Sequence, residues 1–458
     1  MGETLEGLAA ALKEGQASSV SLVERALQRI DRFDSRLNSF VARDPSAALA
    51  AAKESDARRA RGEPKSPLDG IPISVKDNIH VAGFPTTWGS RALKDRRPTT
   101  DELPVARLKS AGMIVIGKTN VPEFTLEGYT RNDLFGVTRN PWNPDLTPGG
   151  SSGGAAASVA AGFVPAAIGT DGGGSIRRPA CHTGLVGFKP SIGRWPRADG
   201  LPAILTDFET AGSLVRTVDD TLLIDAALRG PDPRDWRSLC APALGSPERS
   251  ARILYVPRFG SAPVDPEVAS EVENFARRLT SMGHDVREGE AFFDLDLAAR
   301  VWHVVSRTGV AWLMAENPTY ESLAGASARA MAEDGRKISG ADYLGALEGV
   351  AAIRRLVGEL FQSVDLVLTP TAAALPWPAE KPYPDLIGGK PAGPRDHAIF
   401  TGWVNIAGVP ALNLPLGLSR SRLPIGAHLV AAFGADDALL AFARDVSRAV
   451  PPPPLPQA

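Results

Sequence analysis

Residues 147–178, TPGGSSGGAAASVAAGFVPAAIGTDGGGSIRR, constrain the fold more than any other stretch of the 458-residue chain. They hold two glycine-rich serine clusters, GGSSGG and GGGS, joined by small residues and short apolar runs. Glycine at this density lets a backbone turn through conformations closed to other residues and lets it approach a ligand closely. A glycine–serine run can also be a flexible linker. These clusters, however, border a helix-like AAASVAAG and a strand-like FVPAAIG, not polar segments. The expectation is two ordered turns, with Ser151 in one and Ser175 in the other.

The flanking sequence supplies the framework for those turns. Upstream, Ile71, Ile73 and Val75 alternate in IPISV and lead directly into Lys76-Asp77-Asn78. A helix over 101–111 and a second apolar strand over 113–116 follow, then an irregular passage over 132–148. Downstream, strands are expected at 252–256, 365–369, 411–416 and 425–431, and helices at 265–282, 296–315, 340–362 and 436–449. Residues 3–62 read as helical, with Leu5, Leu8 and Leu12, then Leu22, Leu27 and Ile30, at helical spacing. Strands alternating with helices imply the α/β class: a single large α/β/α sandwich around a mixed β-sheet. The expected organisation is one domain over 1–450, with N-terminal helices over 1–62 and a helical insertion over 296–362. The proline-rich tail, 451–458, is expected to be extended polyproline II.

Composition narrows the function classes. A formal net charge of −2 gives no electrostatic reason to expect nucleic acid or an acidic membrane as partner. No apolar run approaches the length of a membrane span, and the charged N-terminus lacks the apolar stretch of a signal peptide. A cytoplasmic monomer or homodimer acting on a small molecule is expected. Two cysteines, Cys181 and Cys240, are too few for a disulfide framework.

Two short motifs point elsewhere and are set aside on context. Gly112 to Thr119 satisfies GxxxxGK[ST], but its variable positions, Met113 to Ile116, form an apolar strand where a phosphate-binding loop is required. Gly150-Ser151-Ser152-Gly153-Gly154 satisfies GxSxG with Ser152 central. A nucleophile elbow needs an apolar strand directly before it, and PWNPDLTPG at 141–149 is not one. None of the six histidines has the context of a catalytic base, and none stands at metal-ligand spacing, so neither metal nor cofactor is expected. A carboxylesterase using Ser152 is the runner-up reading. A serine hydroxyl can instead be activated by a lysine, provided that the lysine is largely neutral and therefore desolvated. Lys76 closes an apolar strand, which suits that role. From the residues alone, a solvated Lys76 paired with Asp77 is the plainer reading.

Residues 149–180, GGSSGGAAASVAAGFVPAAIGTDGGGSIRRPA, resemble the defining stretch of the amidase signature family. So do PISVKDN (72–78), IGKTNVPEF (116–124), GVTRNPWNP (136–144), GLVGFKPSIGR (184–194), LVLTPTAA (366–373) and NIAGVPALNLPLG (405–417), in the expected order. The resemblance implies a Ser–cisSer–Lys triad: Ser175 as nucleophile, Ser151 as relay after a cis peptide at Gly150, and Lys76 as base. It implies an oxyanion hole from the backbone N–H groups of Gly172, Gly173, Gly174 and Ser175, with Ser152, Asp171 and Arg177 as structural supports. It also implies an acyl-enzyme and hydrolysis of a linear amide C–N bond. One departure is Gly172, where the family often has threonine; a looser loop is the expected consequence.

The family includes the glutaminase A-type subunit of tRNA-dependent amidotransferases, the second alternative. By resemblance, that protein carries an acidic residue where this chain has Ala398, three positions before Thr401. With Phe400 and Trp403 nearby, an apolar pocket is expected, hence an apolar or aryl amide substrate, with esters or carbamates as related possibilities.

Overall fold

The computed structural model describes residues 4–240 and 250–456. Eleven strands make the main sheet. In chain order they are β1 (Phe40–Arg43), β2 (Pro72–Lys76), β3 (Ile114–Thr119), β4 (Ala166–Asp171), β5 (Val186–Lys189), β6 (Thr210–Val215), β7 (Arg252–Tyr255), β8 (Asp285–Glu288), β9 (Leu366–Pro370), β10 (Ala411–Leu418) and β11 (Pro424–Ala431). Their spatial order is β1-β3-β2-β4-β6-β5-β10-β11-β9-β7-β8. The sheet is mixed, as expected. β3, β2 and β4 run parallel, as do β9, β7 and β8, while the central strands and the β1 edge pair antiparallel.

Side chains on a strand alternate between faces, and here each face has its own core. Ala166 and Ile168 join Val75, Leu412 and Leu429 in one apolar cluster with Leu5, Leu8, Ile224, Val272 and Leu439 from overlying helices. Ala167 and Leu214 point the other way, into a cluster with Val23, Ile30, Ala156 and Val159. Farther along that second face, Val367 and Val430 meet Val301, Val305, Ile353 and Val357. Helices therefore cover both faces, which makes the three-layer sandwich. The four helices Leu295–Glu316, Pro318–Leu323, Ala326–Gly335 and Gly340–Leu360 are consecutive between β8 and β9.

Local signals set the helix ends. Ser18 and Ser21 form a reciprocal capping box at the start of helix Ser19–Leu37. Asp265 caps helix Pro266–Ser281, whose first residue is proline. No described helix is long and apolar enough to cross a membrane. The tail from 451 to 456 has no regular structure, and Leu455 packs onto the cluster under helix Ser19–Leu37; the last two residues of the expected tail lie outside the described part.

The neighbouring parallel strands β2 and β4 end side by side, with Val75 opposite Ile168. Crevices at the carboxyl ends of such strands are where α/β sheets place ligands. Lys76 is the last residue of β2, Thr170 and Asp171 are the last of β4, and the two serine clusters flank β4 in sequence.

Candidate active site

Lys76 is fully buried. Its Nζ lies 2.8 Å from Ser151 Oγ, 3.0 Å from the Thr170 carbonyl and 2.9 Å from Thr170 Oγ1. Burial pushes the Lys76 ammonium down to about 7, against the opposing pull of Glu209 and Asp171. Lys76 is thus not the solvated partner of Asp77. Asp77 accepts from the Thr87 backbone and hydroxyl and lies 3.8 Å from Lys118 Nζ. That same Lys118 is the lysine of the apparent phosphate-loop motif. It is buried within β3, where it donates to Asp77 O and Thr86 Oγ1 at 3.1 Å each, so it is not free to hold phosphate.

The two glycine clusters meet as ordered turns. The peptide bond between Gly150 and Ser151 is cis. The Ser152 N–H donates to the Ser175 carbonyl at 3.1 Å, tying one turn to the other. Arg178 adds a second tie: it donates to Gly173 O, to Gly150 O at 3.3 Å and to Thr401 Oγ1 at 2.9 Å. Gly174, with φ of 109°, carries the turn that glycine alone adopts readily. Ser175 lines a narrow cleft together with Gly172, Gly173, Arg178 and Trp302.

Asp171 holds the second turn from beneath. Its carboxylate accepts from the N–H groups of Gly174 at 2.6 Å and Ile176 at 3.1 Å, and binds Arg177 through Nε at 3.0 Å and Nη2 at 2.9 Å. Burial would raise its pKa, but the Arg177 guanidinium beside it holds the carboxyl well below the usual carboxylate range. Asn405 closes the network, donating to Asp171 Oδ1 at 3.0 Å and accepting from Arg177 Nη2 at 2.6 Å.

The geometry corrects four expectations. The Gly174 N–H is spent on Asp171, so it is not available to an oxyanion; Asp171 leaves those of Gly172, Gly173 and Ser175. The missing side chain at Gly172 leaves no gap, because a Cβ there would lie 2.6 Å from Leu205 Cδ1: leucine fills the space. We expect Gly172→Thr to be accommodated by a shift of Leu205 and to lower kcat/KM by less than about tenfold, with recovery in Gly172→Thr/Leu205→Ala; steady-state kinetics on the two variants checks this. Third, Phe400 and Trp403 do not line the cleft. They pack in the interior with Phe259 and Phe293, while Arg178, Arg395, Glu127 and Glu209 border the cleft. Fourth, Ser152 is fully buried and donates its hydroxyl to Thr170 O at 3.2 Å. Its bonded groups include no imidazole, which removes the basis of the Ser152 esterase reading. Cys181 is also buried, which pushes its thiol up to about 12 and makes it unreactive. Among the described residues no cluster of His, Cys, Asp or Glu could hold a metal.

Thr170, Arg178, Glu209 and Thr401 also belong to the site, though none was assigned a role from the sequence. Thr170 directly precedes Asp171 and Arg178 directly follows Arg177, so adjacency to the turns was their only signal.

A family model described as Amidase matches residues 21–440. The chain belongs to the amidase signature family. It is an amidohydrolase acting on C–N bonds. Among its relatives is AmiA2 of Mycobacterium tuberculosis (strain ATCC 25618 / H37Rv), named as an amidase, 37% identical over 97% of this chain and 92% of that protein. The A subunit of the glutamyl-tRNA(Gln) amidotransferase of Desulforapulum autotrophicum is 36% identical over 93% of each. A bacterial aryl acylamidase of the amidase signature family superposes with a TM-score of 0.90 at 29% identity, covering 98% of this chain and 96% of the other.

Proposed function

We propose that this amidase cleaves a carboxylic amide to acid and amine through an acyl-enzyme on Ser175. The observation that carries the reading is the buried Lys76 amine bonded to Ser151 Oγ. A neutral amine has two hydrogens and one lone pair. With two positions of the nitrogen on Thr170 O and Thr170 Oγ1, the third faces Ser151 Oγ: a donated hydrogen in the ammonium, the lone pair in the neutral amine. Ser151 passes its proton to Lys76 and takes that of Ser175 as Ser175 Oγ attacks the carbonyl carbon. The N–H groups of Gly172, Gly173 and Ser175 receive the developing oxyanion; one such donor is worth about 2.7–4 kcal/mol of barrier. The proton returns through Ser151 to the leaving amine. Water then repeats the attack and frees Ser175.

The base must be neutral to accept a proton, so protonation of Lys76 shuts the cycle. With its pKa at about 7, kcat/KM should fall about tenfold per pH unit below that value and level off above it. A pH–rate profile on a non-ionising anilide checks the limb.

A hydrolysis panel of aryl anilides, aliphatic amides, glutamine, p-nitrophenyl esters and carbamates tests the reading. Amide hydrolysis by the chain alone is expected. Turnover of glutamine, with tRNA amidation in the presence of a co-purifying partner, would move the assignment to the glutaminase reading, which the similarity to the amidotransferase relative supports.

A further inference from the structure

Beside the cleft lies a second space, a cavity of about 290 Å³ that shares Leu205 and Glu209 with it as a common wall. Its chemistry is lopsided. Arg197 is clamped between two carboxylates, donating from Nε to Glu102 Oε1 and from Nη1 to Glu209 Oε1 at 2.7 Å each. One guanidinium faces two acids, so the trio carries a net negative charge. Glu102 Oε2 is taken by the His80 N–H at 3.3 Å, whereas Glu209 Oε2 has no protein partner among the described residues. The other guanidinium on the wall, Arg237, is paired through Nε with Asp235 at 2.6 Å. Asn78 provides the second, independent sign. It is 2% exposed, lines this cavity and donates from Nδ2 to Thr170 Oγ1 at 3.0 Å, yet its Oδ1 has no hydrogen-bond partner. A buried carbonyl left unpaired is costly unless something donates to it. Two acceptors without donors, in a space whose other walls include Leu201 and Leu205, suit an alkyl chain ending in a donor-rich cation.

We infer that this cavity is a substrate subsite for a primary ammonium group, held by Glu209 Oε2 and Asn78 Oδ1 with its alkyl stem against Leu201 and Leu205. The inference rests on the amidase reading above and gives it a substrate class: amides carrying an aminoalkyl arm. Glu209 and Asn78 are specificity residues here. Glu209 also influences Lys76, so its replacement changes the rate on every substrate; only a ratio between matched substrates isolates the subsite.

The test compares kcat/KM for three p-nitroanilides matched in length, 5-aminopentanoyl, hexanoyl and adipoyl, and for the corresponding aminoalkyl, alkyl and carboxyalkyl groups placed on the amine half of a hexanamide. The expected result is a preference of about tenfold or more for the ammonium over the methyl terminus in one of the two series, as a charge-assisted hydrogen bond to a fixed carboxylate provides. In Glu209→Gln the ratio should collapse toward one, and in Asn78→Ala it should fall. Equal rates for ammonium and methyl in both series, a preference for the carboxylate, or a ratio untouched by Glu209→Gln would each overturn the subsite while leaving the amidase reading standing. No cleavage in either series would overturn that reading and the subsite together.

Discussion

Ser175→Ala and Lys76→Ala are each expected to lower kcat/KM by roughly 10^4-fold or more, while Ser151→Ala causes a marked but smaller loss. Residues that act as one proton-transfer unit fail together, so removing either end costs about as much as removing both. The double variant Lys76→Ala/Ser175→Ala should therefore be hardly worse than the single ones. Lys76→Ala truncates a fully buried side chain and leaves a cavity, so it also lowers stability. The side chain is a desolvated amine, and its removal leaves Thr170 O still accepting from Ser152 Oγ. Lys76→Met, which keeps most of the volume, should melt closer to wild type than Lys76→Ala while activity disappears in both, as thermal denaturation and kinetics check. Ser152→Ala should keep most of the activity, since its hydroxyl is directed to Thr170 O and not to the cleft.

The second large effect is one of stability. Asp171→Ala removes the ionic partner of a fully buried arginine and the acceptor of three backbone N–H groups at once. Leaving one member of a buried pair unpaired costs about 3–5 kcal/mol, and equilibrium denaturation should show a loss of that order. Asp171→Asn retains an oxygen for the Gly174 N–H and should lose less stability than the alanine variant. Because Gly174, Ile176 and Arg177 all depend on this carboxylate, the turn that presents Ser175 should lose its shape, and activity should fall even where the variant remains folded. A fold insensitive to Asp171→Ala would contradict the role assigned to the network.

The sheet and the helices with strong periodicity could be read from the chain. Ile71, Ile73 and Val75 alternate cleanly, and β2 is there. Leu5, Leu8 and Leu12 lie on one buried helix face. Several strands gave no such signal. β5 and β6 are short, glycine-interrupted and buried on both faces, so VGFK and TAGSLV show no alternation of polar with apolar residues. β1 and β8 are edge strands with partly exposed residues, and pairing with β3 or β7, not local pattern, makes them strands. β3 extends through Gly117, Lys118 and Thr119, where two polar side chains would be expected to end it; buried partners at Asp77 and Thr86 satisfy the lysine there.

The site shows the same division. Ser151 and Ser175 lie in glycine-rich motifs, and the family resemblance joins them to Lys76 at the end of β2, but the character of the pocket could not be read in advance. Phe400 and Trp403 look like pocket residues in sequence, yet they pack into the core, and Ala398 is buried as well. The cavity beside Ser175 is walled by Glu102, Arg197 and Glu209, from separated segments, and no spacing rule predicts that they converge. The absence of a side chain at Gly172 reads as a gap until Leu205 is seen to fill it.

In the proposed mechanism Ser175, and not Ser152, is the nucleophile that Lys76 activates through Ser151. The most direct measurement is covalent labelling with a fluorophosphonate probe, followed by mass mapping of the modified peptide. A single adduct on Ser175 is predicted, formed faster as pH rises through about 7 as Lys76 loses its proton, and abolished in Ser175→Ala and Lys76→Ala. An adduct on Ser152, or labelling of Ser175 that persists unchanged in Lys76→Ala, would contradict it.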